Sequence, residues 1–426
     1  MTHVPPAAGA SPTERRQLGE LFAELCRIES PSGHERACAE RVRAELGSLG
    51  IEVHEDDAAA AAGSDCGNLL ARIPAAPQQL EVQLGEHVEG SGGGLHGRAV
   101  RSGSEFGAGA GGRAGAGILL CAHLDTVPLA APVEPVQVDG FWENANEGIL
   151  GADNKAAVAV LLAFARRISR ERPPIDIELL FTVGEEVSLA GARAFDATSL
   201  RSDFGYVLDH ASSIGEIVLA SPSHFRVEAS FRGAAAHAGL RPEEGRSAIL
   251  AAAHAIARMP HGRLDEDTTV NVGTISGGSA INVVAEHCTL VAEVRSLSEQ
   301  RAETVTGEVV DRLHEAANRP ECECDVDISV QRTFTGYRTP ASAPAVVAAE
   351  LALRACGYEP VRIASGGASD ANALLLGGLT VVNLANGTER NHEPGERVAV
   401  TALQGMLDVI LALPAAAAAQ SLTTSR

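Results

Sequence analysis

Aromatic side chains are scarce in this chain, at 3% of 426 residues with one tryptophan and three tyrosines. Alanine, valine and leucine must therefore build the core, within an ordinary hydrophobic content of 45%. Lysine is scarcer still: Lys155 is the only one among 34 basic residues, which points to genome composition rather than to a physical need. The formal net charge of −21 would repel a phosphate backbone, so nucleic acid is excluded as a partner. No stretch approaches the roughly 18 apolar residues of a membrane span, and no membrane partner is expected. Residues 1–12 lack the apolar run of a secretion signal. The eight cysteines form no framework, and the one close pair, Cys322 and Cys324, is weak evidence for a metal. Reduced thiols and a cytoplasmic location are expected.

The length suits about three domains, or two larger ones. Residues 1–12 and 415–426 are of low complexity and are expected to be disordered. Helices are predicted over 13–26, 35–49 and 154–169, and strands over 68–73, 118–122, 175–183 and 206–208. The stretch 85–117 is crowded with glycine and reads as a flexible surface insertion. Strands alternating with helices predict an α/β domain whose mostly parallel sheet is covered by helices. The pattern then changes. Strand 225–231, helix 245–258, strands 268–275 and 282–294, helix 298–317 and strand 324–331 follow the β-α-β-β-α-β order of a ferredoxin-like unit. The α/β pattern resumes afterwards, to about residue 413. The predicted division is 13–215 and 333–414 for one catalytic domain, with 216–332 inserted into it.

Glu185-Glu186 is the feature that folding alone does not explain. The pair follows a predicted buried strand at a turn on Gly184, where two carboxylates repel each other. A cation would explain them, with one carboxylate binding it and its neighbour handling a proton. Other donors recur where strands end: His123, Asp209 and His392, with Asp153 in the loop Gly151-Ala-Asp-Asn154 before a helix. Loops at the carboxyl ends of strands converge in open α/β sheets. Two imidazoles and three carboxylates suit zinc or a similar divalent ion. If one carboxylate bridges, each of two ions has three protein donors, and Asp153 is the best bridge. Asp125, two residues past His123, is placed to accept a hydrogen bond from its second ring nitrogen. Glu185 is left as the general base. Taken singly, His-x-Asp is common, a Glu-Glu pair is usually a solvated turn, Asp209 could cap a helix, and His392 could be a surface histidine. Their joint placement is harder to dismiss.

Four ordered segments, Ala122-His-Leu-Asp-Thr-Val-Pro128, Gly151-Ala-Asp-Asn-Lys-Ala156, Phe181-Thr-Val-Gly-Glu-Glu186 and Tyr206-Val-Leu-Asp209, resemble the signatures of the dizinc aminoacylase/carboxypeptidase/tripeptidase family, in its peptidase T-like branch. The resemblance implies His123, Asp153 and Asp209 on one zinc, Asp153, Glu186 and His392 on the other, Glu185 as general base and Asp125 as the orienter of His123. It implies a cis bond between Asp153 and Asn154. It makes the inserted domain a lid and dimerisation domain, hence a homodimer, with His237 of Ala236-His-Ala-Gly239 near the oxyanion. Asn282 and Arg295, on segments matching the substrate-contacting strands, would meet a substrate carboxylate or carbonyl. Gly366 and Gly367, in Gly366-Gly-Ala-Ser-Asp370, match a loop beside the substrate. Without the resemblance Arg295 would read as a surface ion pair, and 366–370 as a helix start. Three departures stand out: the long 85–117 connection, His210 after Asp209 where glycine is commoner, and Glu393 before Pro394 in place of serine or threonine.

The expected function is hydrolysis of amide bonds in small peptides, with two divalent ions, zinc first and cobalt or manganese as alternatives. The alternatives are an N-acyl-amino-acid deacylase or carboxypeptidase and, less favoured, a metal-dependent binding protein without turnover.

Overall fold

The computed structural model describes residues 9–77 and 117–424, so the expected insertion, up to residue 116, lies outside the described residues. The large sheet runs, in spatial order, through Val53–Glu55, Leu69–Ile73, Asp176–Thr182, Gly117–His123, Phe204–His210, Thr380–Ala385, Glu216–Ser221 and Tyr337–Arg338, with Val361–Ala364 also beside Glu216–Ser221. The sheet is mixed: its central strands Asp176–Thr182, Gly117–His123, Phe204–His210 and Thr380–Ala385 are parallel, while its flanks are largely antiparallel. Every residue of Gly117–His123 is buried, because helices cover both faces. Leu120 and Ala122 face one way, into a core with Phe181, Tyr206 and helices Pro12–Arg27, Ala152–Arg170, Pro344–Ala355 and Val400–Thr424. Leu119 and Cys121 face the other way, toward Ala371 and Leu374 of helix Asp370–Leu376.

Local chemistry fixes these helices. Ser11 caps Pro12–Arg27 by accepting from Glu14 N, while Glu14 accepts from Ser11 N, a reciprocal capping box. Glu14 also receives two hydrogen bonds of 2.6 Å from Arg167, tying this helix to Ala152–Arg170. At its other end the lone lysine answers a structural need. Buried Lys155 Nζ donates to Leu25 O and Ile28 O, carbonyls at the C-terminal end of that helix. The segment that carries Asp153 is thereby anchored from below.

Strands Ser223–Arg232, Thr268–Gly277, His287–Ser296 and Asp325–Phe334 form the inserted sheet, with two-residue strand Gly262–Arg263 at its edge. Its neighbours are all antiparallel, and the order matches the ferredoxin-like expectation. Helices Ala248–Ile256 and Glu299–Ala317 pack on one face, against Phe225, Val227 and Phe231. A third sheet joins Thr388–Glu389, Arg397–Ala399, Phe141–Asn144 and Pro135–Val138, and frames the loop bearing His392.

Four expectations need correction. Glu216–Ser221 pairs with Thr380–Ala385 in the large sheet, so the insertion starts after it rather than at 216. Asn282 is not in a strand. The hairpin pairs Thr268–Gly277 with His287–Ser296, and Asn282 lies in the intervening turn. Residues 415–424 are helical, because Val400–Thr424 continues through Pro414 with Ala416 and Ala417 in the core. Finally, Val400–Gln420 is long and apolar enough to cross a membrane, with 21 residues at mean hydropathy 1.6. Leu403, Leu407, Ile410 and Leu413 are nevertheless buried in the main core, the position of a core helix.

Candidate metal centre

The central parallel strands end on one side, and their last residues carry the donors. His123 closes its own strand and is buried. Its Nε2 lies 3.3 Å from Asp153 Oδ1 and 3.5 Å from Asp209 Oδ1. Asp153 Oδ2 lies 3.3 Å from His392 Nε2, which is 2.9 Å from Glu186 Oε1. Two donor sets, His123–Asp153–Asp209 and Asp153–Glu186–His392, therefore share Asp153. Glu185 groups with His123 and Glu186 on the same cavity.

These spacings fit cations. Two donors each about 2.1 Å from a tetrahedral ion are about 3.4 Å apart. Glu186 Oε1 is buried and has no hydrogen-bond partner, although His392 Nε2 faces it closely. Such convergence of lone pairs is favourable only with a proton or cation between them. The electrostatics agree. Burial opposes a charged His123, yet Asp209, Asp125 and Asp153 hold its pKa well above the ordinary histidine value. The Asp153 and Glu186 carboxylates close to its ring raise His392 to about 10. Burial, with repulsion from Asp153, raises Asp209 to about 8. Removal from water, then the nearby Asp209 carboxylate, pushes Glu185 well above the usual carboxylate range. Four carboxylates face two histidines, and without a cation two of the four are driven toward their neutral forms.

Asp125 takes its expected place and does more. Its Oδ1 lies 3.3 Å from His123 Nδ1, which also contacts the Asp125 carbonyl at 3.1 Å. Its two oxygens accept the backbone N–H groups of Glu185 and Glu186, and Ser32 Oγ donates to Oδ2. One carboxylate thus orients the histidine and seats both glutamates. The Asp153–Asn154 bond is cis, as the resemblance implied.

Some supports went unread in the sequence. Buried Glu396 accepts the N–H groups of Leu150, Gly151 and Asp153, clasping the loop around the shared aspartate. Burial raises its pKa to about 7. Asn391 donates to Asp153 Oδ2 at 2.8 Å, and Asn383 accepts from Asp209 N and donates to Asp209 O. Glu35 Oε1 accepts from Gly184 N. The only available signal was Glu396 standing four residues past His392. His392 itself has φ 67, a backbone strain that this loop sustains.

The inserted domain is not part of the cluster in a single chain. His237 and Asn282 are exposed, and His237 Nδ1 accepts only from Gly239 N. Arg295 pairs with Glu293 and donates from Nη1 to Gly366 O at 3.3 Å. The loop at Gly366 and Gly367 is tied to the crossing between domains by Ser221 Oγ, which donates to Gly367 O.

Comparison with known proteins gives the same picture. Residues 220–321 match the family profile described as peptidase dimerisation domain, and 108–241 match that of peptidase family M28. The aminopeptidase PepT of Bacillus cereus ATCC 10987 is 32% identical, with a TM-score of 0.79 over 95% of this chain and 99% of that one. A tripeptidase of Staphylococcus aureus subsp. aureus Mu50 is 30% identical, with a TM-score of 0.82 over the same shares. The uncharacterized protein YqjE of Bacillus subtilis (strain 168) is 31% identical over 399 residues, 93% of this chain and 97% of the relative. With full-length likeness joined to two donor sets on a shared aspartate, this chain belongs to the M20 family of dinuclear metallopeptidases, beside the peptidase T branch.

Proposed function

We propose that this protein hydrolyses amide bonds in small peptides, as an aminopeptidase or tripeptidase. The observation that carries the reading is Asp153 shared by two donor sets, with Glu185 beside them. His123, Asp153 and Asp209 would hold one divalent cation, and Asp153, Glu186 and His392 the other. When bound, the pair supplies Lewis acidity and makes hydroxide available near neutral pH. Glu185 accepts the proton of the attacking water and returns it to the leaving nitrogen. Asp125 is a positioning residue for His123 and for both glutamates. Arg295 and the loop at Gly366 and Gly367 meet the substrate from the lid side, with the arginine fork suited to a carboxylate.

His237 and Asn282 reach the substrate by lid movement or from a second copy. Exposed Leu240, Ile249, Leu250, Ile275 and Ile281 on the inserted domain support a homodimer through it. Eight free cysteines support a reducing, cytoplasmic setting.

The test is purified protein reconstituted with zinc, cobalt or manganese and assayed on di- and tripeptides and their N-acetylated forms. Chelator-sensitive cleavage of the free peptides is expected. Cleavage of acetylated forms alone would make it a deacylase, and no cleavage with any ion would overturn the reading.

A further inference from the structure

Arg295 is not free to swing. Its Nε and Nη2 donate to Glu293 Oε1 and Oε2 at 3.2 and 3.0 Å. Its Nη1 donates to Gly366 O, across the boundary between the inserted and catalytic domains. A guanidinium has five N–H groups. Three are engaged here, leaving one on each of Nη1 and Nη2, enough for one two-point contact with a carboxylate.

Glu293 is fixed in turn. Residues 293 and 295 alternate along strand His287–Ser296 and share its open face. His224 stands directly across from Arg295, and its Nε2 lies 3.0 Å from Glu293 Oε2. His224 stacks on Phe334, with ring centroids 5.0 Å apart, and Arg295 lies over the same ring at 6.0 Å. Phe334 packs with Leu189 and Ala373, so the assembly touches both the turn after Glu185-Glu186 and the helix after the glycine-rich loop. Hydrogen bonds from His224 and Arg295 hold Glu293 low, at about 2, so it stays ionised.

We propose that Glu293 is a positioning residue that sets the Arg295 fork to read the C-terminal carboxylate of a peptide, with His224 and Phe334 as its backing. The inference rests on the peptidase reading above. A free arginine would lose rotamer freedom on each binding event, and Glu293 removes that loss in advance. It occupies the Nε side of the fork and leaves the outer ends for substrate. Selection for peptides with a free carboxylate follows.

The test uses the full chain loaded with zinc, and trialanine against trialanine amide. Glu293→Ala should raise KM for the free acid by about tenfold, with kcat moving far less and KM for the amide holding. Glu293→Gln, which keeps one acceptor, should fall between. Equal changes on both peptides would reduce Glu293 to a structural role. A lower KM for the acid would mean that Glu293 repels the carboxylate, and an unchanged KM would mean that it does not act on Arg295. Each of these overturns the proposal. Calorimetric binding of both peptides to Glu185→Ala, with and without Glu293→Ala, reads the same preference without turnover. Failure of wild-type cleavage with acid-selective binding intact would sink the peptidase reading alone, whereas no acid preference with Glu293 in place, or an undiminished preference after Glu293→Ala, would sink this one.

Discussion

Two adjacent carboxylates follow the same strand and diverge in their surroundings. Glu186 Oε1 sits 2.9 Å from His392 Nε2, while Glu185 groups with His123 and Glu186. The division of labour has a measurable consequence. Glu185→Ala should lower kcat by about 10²–10⁴-fold while elemental analysis still finds two cations per chain. Loss of a cation together with activity would place Glu185 among the ligands instead. Glu396 supplies a pH signature. Its pKa is raised to about 7 in the fold, against about 4.3 for an ordinary glutamate. The folded state therefore holds the proton more tightly. That contribution favours folding fully below the unfolded value and is lost as pH rises through about 7. Urea midpoints of metal-free protein should fall more steeply between about pH 5 and about pH 8 in the wild type than in Glu396→Gln. Parallel profiles would show that Glu396 does not titrate in this range. Beyond its place four residues past His392, nothing local announced this glutamate, because its partners are backbone N–H groups 243 to 246 positions away.

Among the elements, short helix Ala190–Ala194 shows how closely the ligand turn is packed. A Cβ at Gly191 would stand 2.2 Å from Val183 O and 2.6 Å from Asn68 Oδ1. Gly191→Ala should destabilise the chain by about 1–3 kcal/mol, read as a lower urea midpoint. Gly307, on the exposed side of helix Glu299–Ala317, has nothing among the described residues within 4 Å of an added Cβ. Gly307→Ala should instead stabilise by about 0.5–1 kcal/mol, and the opposite order of the two variants would refute this packing account. The same scale explains which elements were legible in sequence. Strand Gly117–His123 and helix Ala152–Arg170 announce themselves by composition and period. The hairpin 268–296 was misjudged at Asn282, since apolar Ile281, Val283 and Val284 imitate a strand while only Val283 makes even an isolated bridge, to His237.

Across the whole molecule, cation binding and protonation compete for one site. With His392 raised to about 10 and His123 also well above its ordinary value, metal-free protein at neutral pH carries protons where ions belong. Those protons stabilise the metal-free fold below the unfolded histidine value, and that stabilisation is lost as pH rises through about 10. Cation binding must displace them, so affinity should rise with pH. Zinc titrations at about pH 7, in buffers of differing ionisation enthalpy, should show net release of about two to three protons, from His392, His123 and Asp209, and none released would contradict these shifts. Chelation should also lower the thermal midpoint, because the cations bind the folded state alone.

The residues by themselves determined which side chains can hold a cation, that strands alternate with helices, and that a second unit interrupts the first. Those features are local: a donor at a strand end, a hydrophobic period, a turn on glycine. Only the tertiary structure decided that Asp125 seats both glutamates, that Glu396 clasps the Asp153 loop, and that Glu216–Ser221 belongs to the large sheet. Each depends on closing loops of tens to hundreds of residues. Packing then selects a partner by distance, and no neighbouring residue in the chain records that choice.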